Sequence, residues 1–173
     1  MWRSIQRWIH FHFLHRQLRQ RHVERCTVRL ADAQDIGILF DASDPERVAA
    51  VSQFADHLRK EQKKTTLLGF YNQSKQAINF NFAYFNRKNL NWYLAPTGIL
   101  VKEFMERPFD ILINAYLPEN LPLEYVSALS QARFRIGAYG KNKTYAYDFM
   151  VDMKEDPNLT VLLQQYRHYL EML

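Results

Sequence analysis

The chain has 173 residues, of which 47% are hydrophobic and 24% are charged, and it carries a formal net charge of +5. This composition is typical of a soluble globular protein and excludes an intrinsically disordered chain. A single cysteine, Cys26, excludes an intramolecular disulfide bond and a cysteine-rich zinc site.

The net charge lies in the first 25 residues. Six arginines there accompany a single acid, Glu24, whereas residues 26–173 contain 17 basic and 17 acidic side chains. Clustered positive charge attracts phosphate-bearing surfaces. The charge distribution therefore predicts two parts, a basic and aromatic helical leader over residues 1–25 that serves for attachment, and an α/β domain over residues 26–173.

The leader has the pattern of an amphipathic helix only in its first half. There, one face would carry the apolar side chains of Trp2, Ile5, Trp8, Ile9 and Phe13. Beyond Phe13 this stripe breaks, and a second seam appears at Phe11, Leu14 and Leu18. The predicted attachment surface consists of Trp2, Arg3, Arg7, Trp8, Arg16, Arg19, Arg21 and Arg25.

Three partners for this surface remain open. The helix could pack on its own domain or on a protein partner, including a second copy of the chain. It could lie on an anionic membrane surface, where indole rings prefer the headgroup level, or its arginines could bind RNA. Histidines and arginines interrupt the pattern of a cleaved signal peptide. We therefore expect a cytoplasmic protein, with a peripheral position at the inner face of the membrane as one option.

Short apolar runs alternate with helical patterns along the rest of the chain. Residues 36–40 and 65–71 predict two strands, and Asp44-Pro45 predicts the start of a helix between them, because aspartate caps helices and proline suits their first turn. Residues 78–84 alternate apolar and polar side chains, which predicts a strand at or near a sheet edge.

The second half of the domain repeats this alternation. Its predicted elements are a short helix after Pro96-Thr97-Gly98, a strand over 109–114, a helix from Pro122, a strand over 134–137, a strand over 145–153 and a helix starting at Asp156-Pro157. Strands separated by helical crossovers predict a single Rossmann-like or flavodoxin-like three-layer α/β domain. Its sheet should be mainly parallel, with five or six strands.

Ligands of such sheets usually bind beyond the carboxyl ends of the strands, where the strand order reverses. Four residues at predicted strand ends are candidates for such a crevice: Asp41, Ser43, Asn114 and Gly137. The first three offer hydrogen bonds, and glycine allows a close backbone approach. Helix capping, turn geometry and loop hydrogen bonds explain the same residues equally well without any ligand.

Several kinds of chemistry have no support in the sequence. Neither G-x-G-x-x-G nor G-x-x-x-x-G-K-[ST] occurs, which argues against a dinucleotide or nucleoside triphosphate site. Only His57 and His168 lie outside the leader, so a Ser-His or Cys-His pair is not expected. We predict no metal site and no cofactor.

Three segments carry a family resemblance: residues 36–41 (IGILFD), 90–98 (LNWYLAPTG) and 109–137 (FDILINAYLPENLPLEYVSALSQARFRIG). Together they resemble an uncharacterised bacterial family of small α/β proteins, which implies a cytoplasmic protein and no catalytic residues to carry over. Part of the last segment is also similar to the acceptor-side half of heptose-type glycosyltransferases. Those enzymes need two Rossmann-like domains, so this similarity implies a shared fold and not a shared activity.

The charge distribution and the lack of a catalytic set favour a non-catalytic binding or adaptor protein, attached through its leader. The alternative is a small sugar- or nucleotide-directed enzyme that uses the crevice at Asp41, Ser43, Asn114 and Gly137.

Overall fold

The computed structural model describes residues 2–75, 80–117, 119–153 and 158–173. The strands are β1 (Asp35–Asp41), β2 (Lys64–Tyr71), β3 (Ala83–Asn86), β4 (Ile111–Ala115), β5 (Phe134–Ala138) and β6 (Phe149–Val151). The helices are α1 (Trp2–Leu18), α2 (Pro45–Lys60), α3 (Ile99–Glu106), α4 (Leu121–Leu129) and α5 (Leu159–Met172), with a short 3-10 helix at Arg87–Asn89.

All six strands run parallel in the order β3-β2-β1-β4-β5-β6. This is the Rossmann order, and it confirms the predicted α/β fold with a parallel sheet. The chain winds outward in one direction from β1 to β3 and in the other direction from β4 to β6. The strand order therefore reverses between β1 and β4, and a crevice is expected at the carboxyl ends of these two strands.

Helices cover both faces of the sheet. Alternate residues of β1 point to opposite faces, so Ile38 and Phe40 join a core cluster with α2 and α5, whereas Leu39 joins the cluster with α1, α3 and α4. Leu14 of α1 belongs to this second cluster and is completely buried. The predicted three layers are thus present, and α1 is part of one of them.

The strand predicted over residues 78–84 is wrong in its position. The edge strand β3 covers Ala83–Asn86, while Ile78 and Asn79 lie outside the described residues. Phe80 and Phe82 stack on each other, and the Phe82 ring lies 5.0 Å from the ring of Phe40. These two rings pack against the core without belonging to a strand. Because they alternate with polar residues, the sequence has the two-residue period of a strand here, which explains the wrong prediction.

The strand predicted over residues 145–153 is much shorter, because β6 contains only Phe149–Val151. Before it, the backbone N–H groups of Ala146 and Tyr147 donate to the carbonyl of Lys143 and form a turn. The predicted start of the last helix at Asp156-Pro157 lies outside the described residues. Helix α5 itself begins at Leu159, and Asn158 caps it by accepting from Thr160 N at 2.8 Å.

Candidate functional site

Asp41 and Ser43 hold the turn between β1 and α2. Ser43 N donates to Asp41 Oδ1 at 3.0 Å, and Arg47 donates to Asp41 Oδ2 at 2.9 Å. The Ser43 hydroxyl accepts from the backbone N–H of Asn72, which follows β2, at 2.9 Å. Both predicted site residues therefore have structural partners that fasten this turn to the end of the neighbouring strand.

Asn114 and Gly137 lie beside a different group, the hydroxyl pair of Tyr116 and Tyr147. These two oxygens are 2.8 Å apart, and Tyr116 also donates to Asn114 Oδ1 at 3.4 Å. Asn114 is buried and donates through Nδ2 to the carbonyl of Ile136 at 2.9 Å. The four predicted crevice residues thus fall into two pairs with separate partners, Asp41 with Ser43 and Asn114 with Gly137.

Gly137 allows a close approach, as predicted, but the group that lies against it is the ring of Tyr147. A Cβ atom at this position would stand 2.6 Å from Cγ and Cδ1 of Tyr147, well inside van der Waals contact. Burial raises the pKa values of Tyr116 and Tyr147 well above the ordinary value. Both hydroxyls therefore stay protonated at neutral pH and cannot act as general bases.

Replacing Gly137 by alanine is expected to lower the free energy of unfolding by about 1–3 kcal/mol, the usual cost of overpacking a filled core. Urea unfolding of the variant measures this loss. In a Tyr147→Ala background the same substitution should cost much less, because the colliding ring is gone. An equal cost in both backgrounds would show that Tyr147 is not what requires glycine here.

A buried carboxylate, Glu124, is the centre of a polar cluster that the sequence analysis missed. Its side chain accepts from Lys143 Nζ at 2.7 Å and from the Tyr145 hydroxyl at 2.5 Å. Lys143 also contacts Glu119, which forms a two-bond pair with Arg7 at 3.0 Å. The pair with Arg7 has the largest effect, and together with the pair to Lys143 it lowers the pKa of Glu119 to about 2.

The cluster borders a cavity of about 270 Å³ at the carboxyl ends of β4 and β5. Both carboxylates in it already have cationic partners, and Tyr145 has a pKa raised by burial and by Glu124. This arrangement links α4 to the turn before β6 through ion pairs and hydrogen bonds. No sequence signal identified the cluster, because Glu119, Glu124 and Lys143 are brought together only by the chain crossing between strands.

Helix α1 packs on the domain mainly through the face marked by its second seam, with Phe13 of the first stripe at the edge of that face. His10 and Leu14 are buried, His10 Nδ1 donates to the carbonyl of Tyr93 at 2.9 Å, and Gln17 donates to the Tyr125 hydroxyl at 2.6 Å. The ring of Phe13 stacks on Tyr93 with centroids 4.8 Å apart. The signal for this face was the seam of Phe11, Leu14 and Leu18, but nothing in the sequence marked His10 as a core residue.

The arginines of the predicted attachment surface divide into two groups. Arg7 pairs with Glu119, Arg21 donates to the carbonyl of Leu129, and Arg25 donates to the carbonyl of Ser130. Burial lowers the pKa of Arg25 to about 10, so this residue remains a cation at neutral pH. These three arginines therefore fasten α1 and the segment after it to the region of α4.

The remaining predicted residues point to solvent. Trp2 and Trp8 are 67% and 66% exposed, and Ile5 beside them is also exposed. Arg3, Arg16 and Arg19 are exposed and form no ion pair within the part of the chain that the structure describes. We call five of these side chains the outward face of α1: Trp2, Ile5, Trp8, Arg16 and Arg19, the last of which directly follows the helix. Arg3 is also exposed, but it precedes His10 by seven residues and therefore lies on the other side of the helix.

In the described ranges, no three or more histidine, cysteine, aspartate or glutamate side chains are grouped so that they could hold a metal ion. Among the helices described, none combines the length and the apolar character needed to cross a membrane.

The model of a family of unknown function (DUF6913) matches residues 8–173, which include most of α1 and the whole sheet. No curated protein and no solved structure matches significantly. The expected kinship with an uncharacterised family is thereby confirmed. None of these comparisons shows the similarity to heptose-type glycosyltransferases, which stays a prediction.

Proposed function

The chain belongs to this family of unknown function, and on that premise we propose that it is a non-catalytic binding protein that docks on an anionic membrane surface through the outward face of α1. One observation carries the proposal. The helix buries His10 and Leu14 against its own domain and turns two indole rings and two arginines, Arg16 and Arg19, to solvent, where neither arginine forms an ion pair with a described residue. Internal packing therefore accounts for one face of α1 and leaves the other without a structural role.

The exposed apolar side chains are concentrated on this side of the protein. Of the ten large hydrophobic side chains that are exposed among the described residues, six lie in α1, α3 and the segment between β3 and α3. They are Trp2, Ile5, Trp8, Trp92, Ile99 and Leu100. Gln6 donates to the carbonyl of Trp92 at 2.6 Å, so Trp92 adjoins α1. Large exposed apolar patches usually mark an interaction surface.

Charge and side-chain type favour a lipid surface over the other two partners. In a symmetric dimer the same patch meets itself, which would bring Arg16 and Arg19 of two copies together, and the outward face contains no acid to pair with them. An RNA site would use the arginines and indoles but would leave Ile5 without a partner. An anionic bilayer provides a partner for the arginines, the indoles and Ile5 alike. Indoles and aliphatic side chains enter the interface, while arginines bind headgroup phosphates.

The same proposal places the protein in the cytoplasm, at the inner face of the membrane, where anionic lipids are enriched. The single free cysteine, Cys26, is exposed and agrees with a reducing compartment.

Sedimentation with lipid vesicles tests the proposal. The protein should bind vesicles that contain phosphatidylglycerol and should bind phosphatidylcholine vesicles weakly. Arg16→Gln with Arg19→Gln should weaken binding to the anionic vesicles by roughly 30-fold, because each cation near such a surface contributes about 1 kcal/mol. The loss should shrink as salt is added, since screening weakens the wild-type attraction.

Two matched controls belong to this experiment. Lys60→Gln with Lys64→Gln removes the same charge from exposed positions at the end of α2 and the start of β2, and it should change binding much less. Trp8→Ala should weaken binding, whereas Met172→Ala, at an equally exposed position on α5, should not. Equal losses in the arginine and lysine variants, or tighter binding to RNA than to vesicles, would contradict membrane docking.

A further inference from the structure

A second and larger cavity, of about 490 Å³, lies on the same layer as α1. Its walls come from the ends of β2 and β3, the segment before α3, and the first residues of α4. Helix α4 follows β4, so the two halves of the sheet both contribute to this cavity. It therefore lies at the carboxyl-end edge of the sheet, where ligands of such folds bind, and its volume is within the range of small-molecule sites.

Four carboxamides lie in the cavity wall. Gln6 is bound through Nε2, which donates to the carbonyl of Trp92, whereas the other three have their oxygens already bound. Asn91 Oδ1 accepts from Ala95 N at 2.9 Å, Asn120 Oδ1 accepts from Leu123 N at 3.3 Å, and Asn72 Oδ1 accepts from Arg87 Nε at 2.8 Å. Because backbone and guanidinium N–H groups can only donate, these contacts identify the oxygen of each amide. The three NH₂ groups form no hydrogen bond with the residues that the structure describes and remain available as donors.

Arg87 adds a cation with spare donors. Its Nε bonds Asn72, while its two terminal nitrogens make no ion pair with a described residue. The acid in the wall, Glu119, is already bound by Arg7 and Lys143. The polar side of the cavity therefore presents several N–H donors and one uncompensated positive charge, which favours a ligand that accepts hydrogen bonds and is negatively charged.

The other side of the cavity is apolar. Phe70, at the end of β2, and Leu94 lie in the wall, together with Trp92, whose indole is 56% exposed. A flat aromatic surface of this kind binds the face of a ring. We propose that the cavity binds a phosphorylated ring compound of the size of a sugar phosphate or a nucleoside monophosphate, with the phosphate at Arg87 and the amides and the ring against Trp92.

Titration calorimetry on the full chain tests this with four soluble probes: glucose 1-phosphate, uridine monophosphate, glucose and inorganic phosphate. At least one of the two phosphorylated ring compounds should bind and raise the melting temperature, and both glucose and phosphate should bind at least tenfold more weakly. Which phosphorylated probe binds more tightly identifies the sugar phosphate or the nucleotide as the natural class.

Arg87→Gln should lower the affinity at least tenfold, and Arg87→Lys should restore part of it, since lysine keeps the charge. Lys88→Gln removes a neighbouring exposed charge that does not line the cavity and should leave the affinity unchanged. The proposal is overturned if neither phosphorylated probe binds, if glucose binds as tightly as glucose 1-phosphate, or if the Arg87→Gln and Lys88→Gln variants bind alike. No vesicle is present, so failure here leaves membrane docking untouched.

Discussion

Replacing Arg135 by methionine is expected to lower the free energy of unfolding by about 3–5 kcal/mol, the usual cost of breaking a buried ion pair from one side. The guanidinium is 6% exposed and binds both carboxylate oxygens of Asp148, at 2.7 and 3.0 Å. It also donates to the carbonyl of Tyr145 at 2.9 Å. Methionine fills a similar volume but leaves this carbonyl without its donor, and it leaves Asp148 only the backbone N–H of residue 135, which donates to Asp148 Oδ2 at 2.9 Å.

Arg133 is a matched control two residues away. It also pairs with an aspartate, Asp110, at 3.1 Å, but its side chain is 54% exposed. Water screens such a pair, so Arg133→Met should cost far less than Arg135→Met. Urea unfolding of both variants measures the difference. Equal losses at the two positions would mean that the contacts of Arg135 around Asp148 add nothing to stability.

The second large effect concerns the junction of α1 with the domain. Leu14→Ala should lower the free energy of unfolding by about 2–5 kcal/mol, because it empties space in a core cluster that also contains Leu39 and Phe85. The loss should appear in a single cooperative transition. Leu100→Ala, at a half-exposed position of α3, should cost far less.

This measurement also tests the predicted division into residues 1–25 and 26–173, which stays a prediction. If the leader were separate from the domain, Leu14→Ala would leave the unfolding of the domain unchanged. A large loss would mean that α1 is a structural helix as well as the carrier of an exposed surface. Membrane docking is compatible with that result, because Leu14 and the outward face lie on opposite sides of the helix.

Local patterns predicted most elements of the fold because their causes are local. The apolar run at 36–40 became β1, and Asp44 caps α2 by accepting from Glu46 N at 2.9 Å, with Pro45 as the first helical residue. The alternation of strands and helices predicted a parallel sheet. The strand predicted at residues 145–148 was wrong, because the N–H groups of Ala146 and Tyr147 form a local turn with the carbonyl of Lys143 and Asp148 N donates to the carbonyl of Arg135.

The sequence by itself determined the α/β class, the basic helix and the separation of net charge, since composition and periodicity depend on neighbours along the chain. Only the tertiary structure decided which face of α1 is buried, that Tyr147 lies against Gly137, and that Glu119, Glu124 and Lys143 meet in one cluster. The physical reason is that these contacts depend on how whole elements pack on one another. His10 of α1 meets Tyr93, which is 83 residues further along the chain, and the other contacts depend on how the segment between β5 and β6 folds back on β5 and α4. No local preference of a single residue encodes that packing.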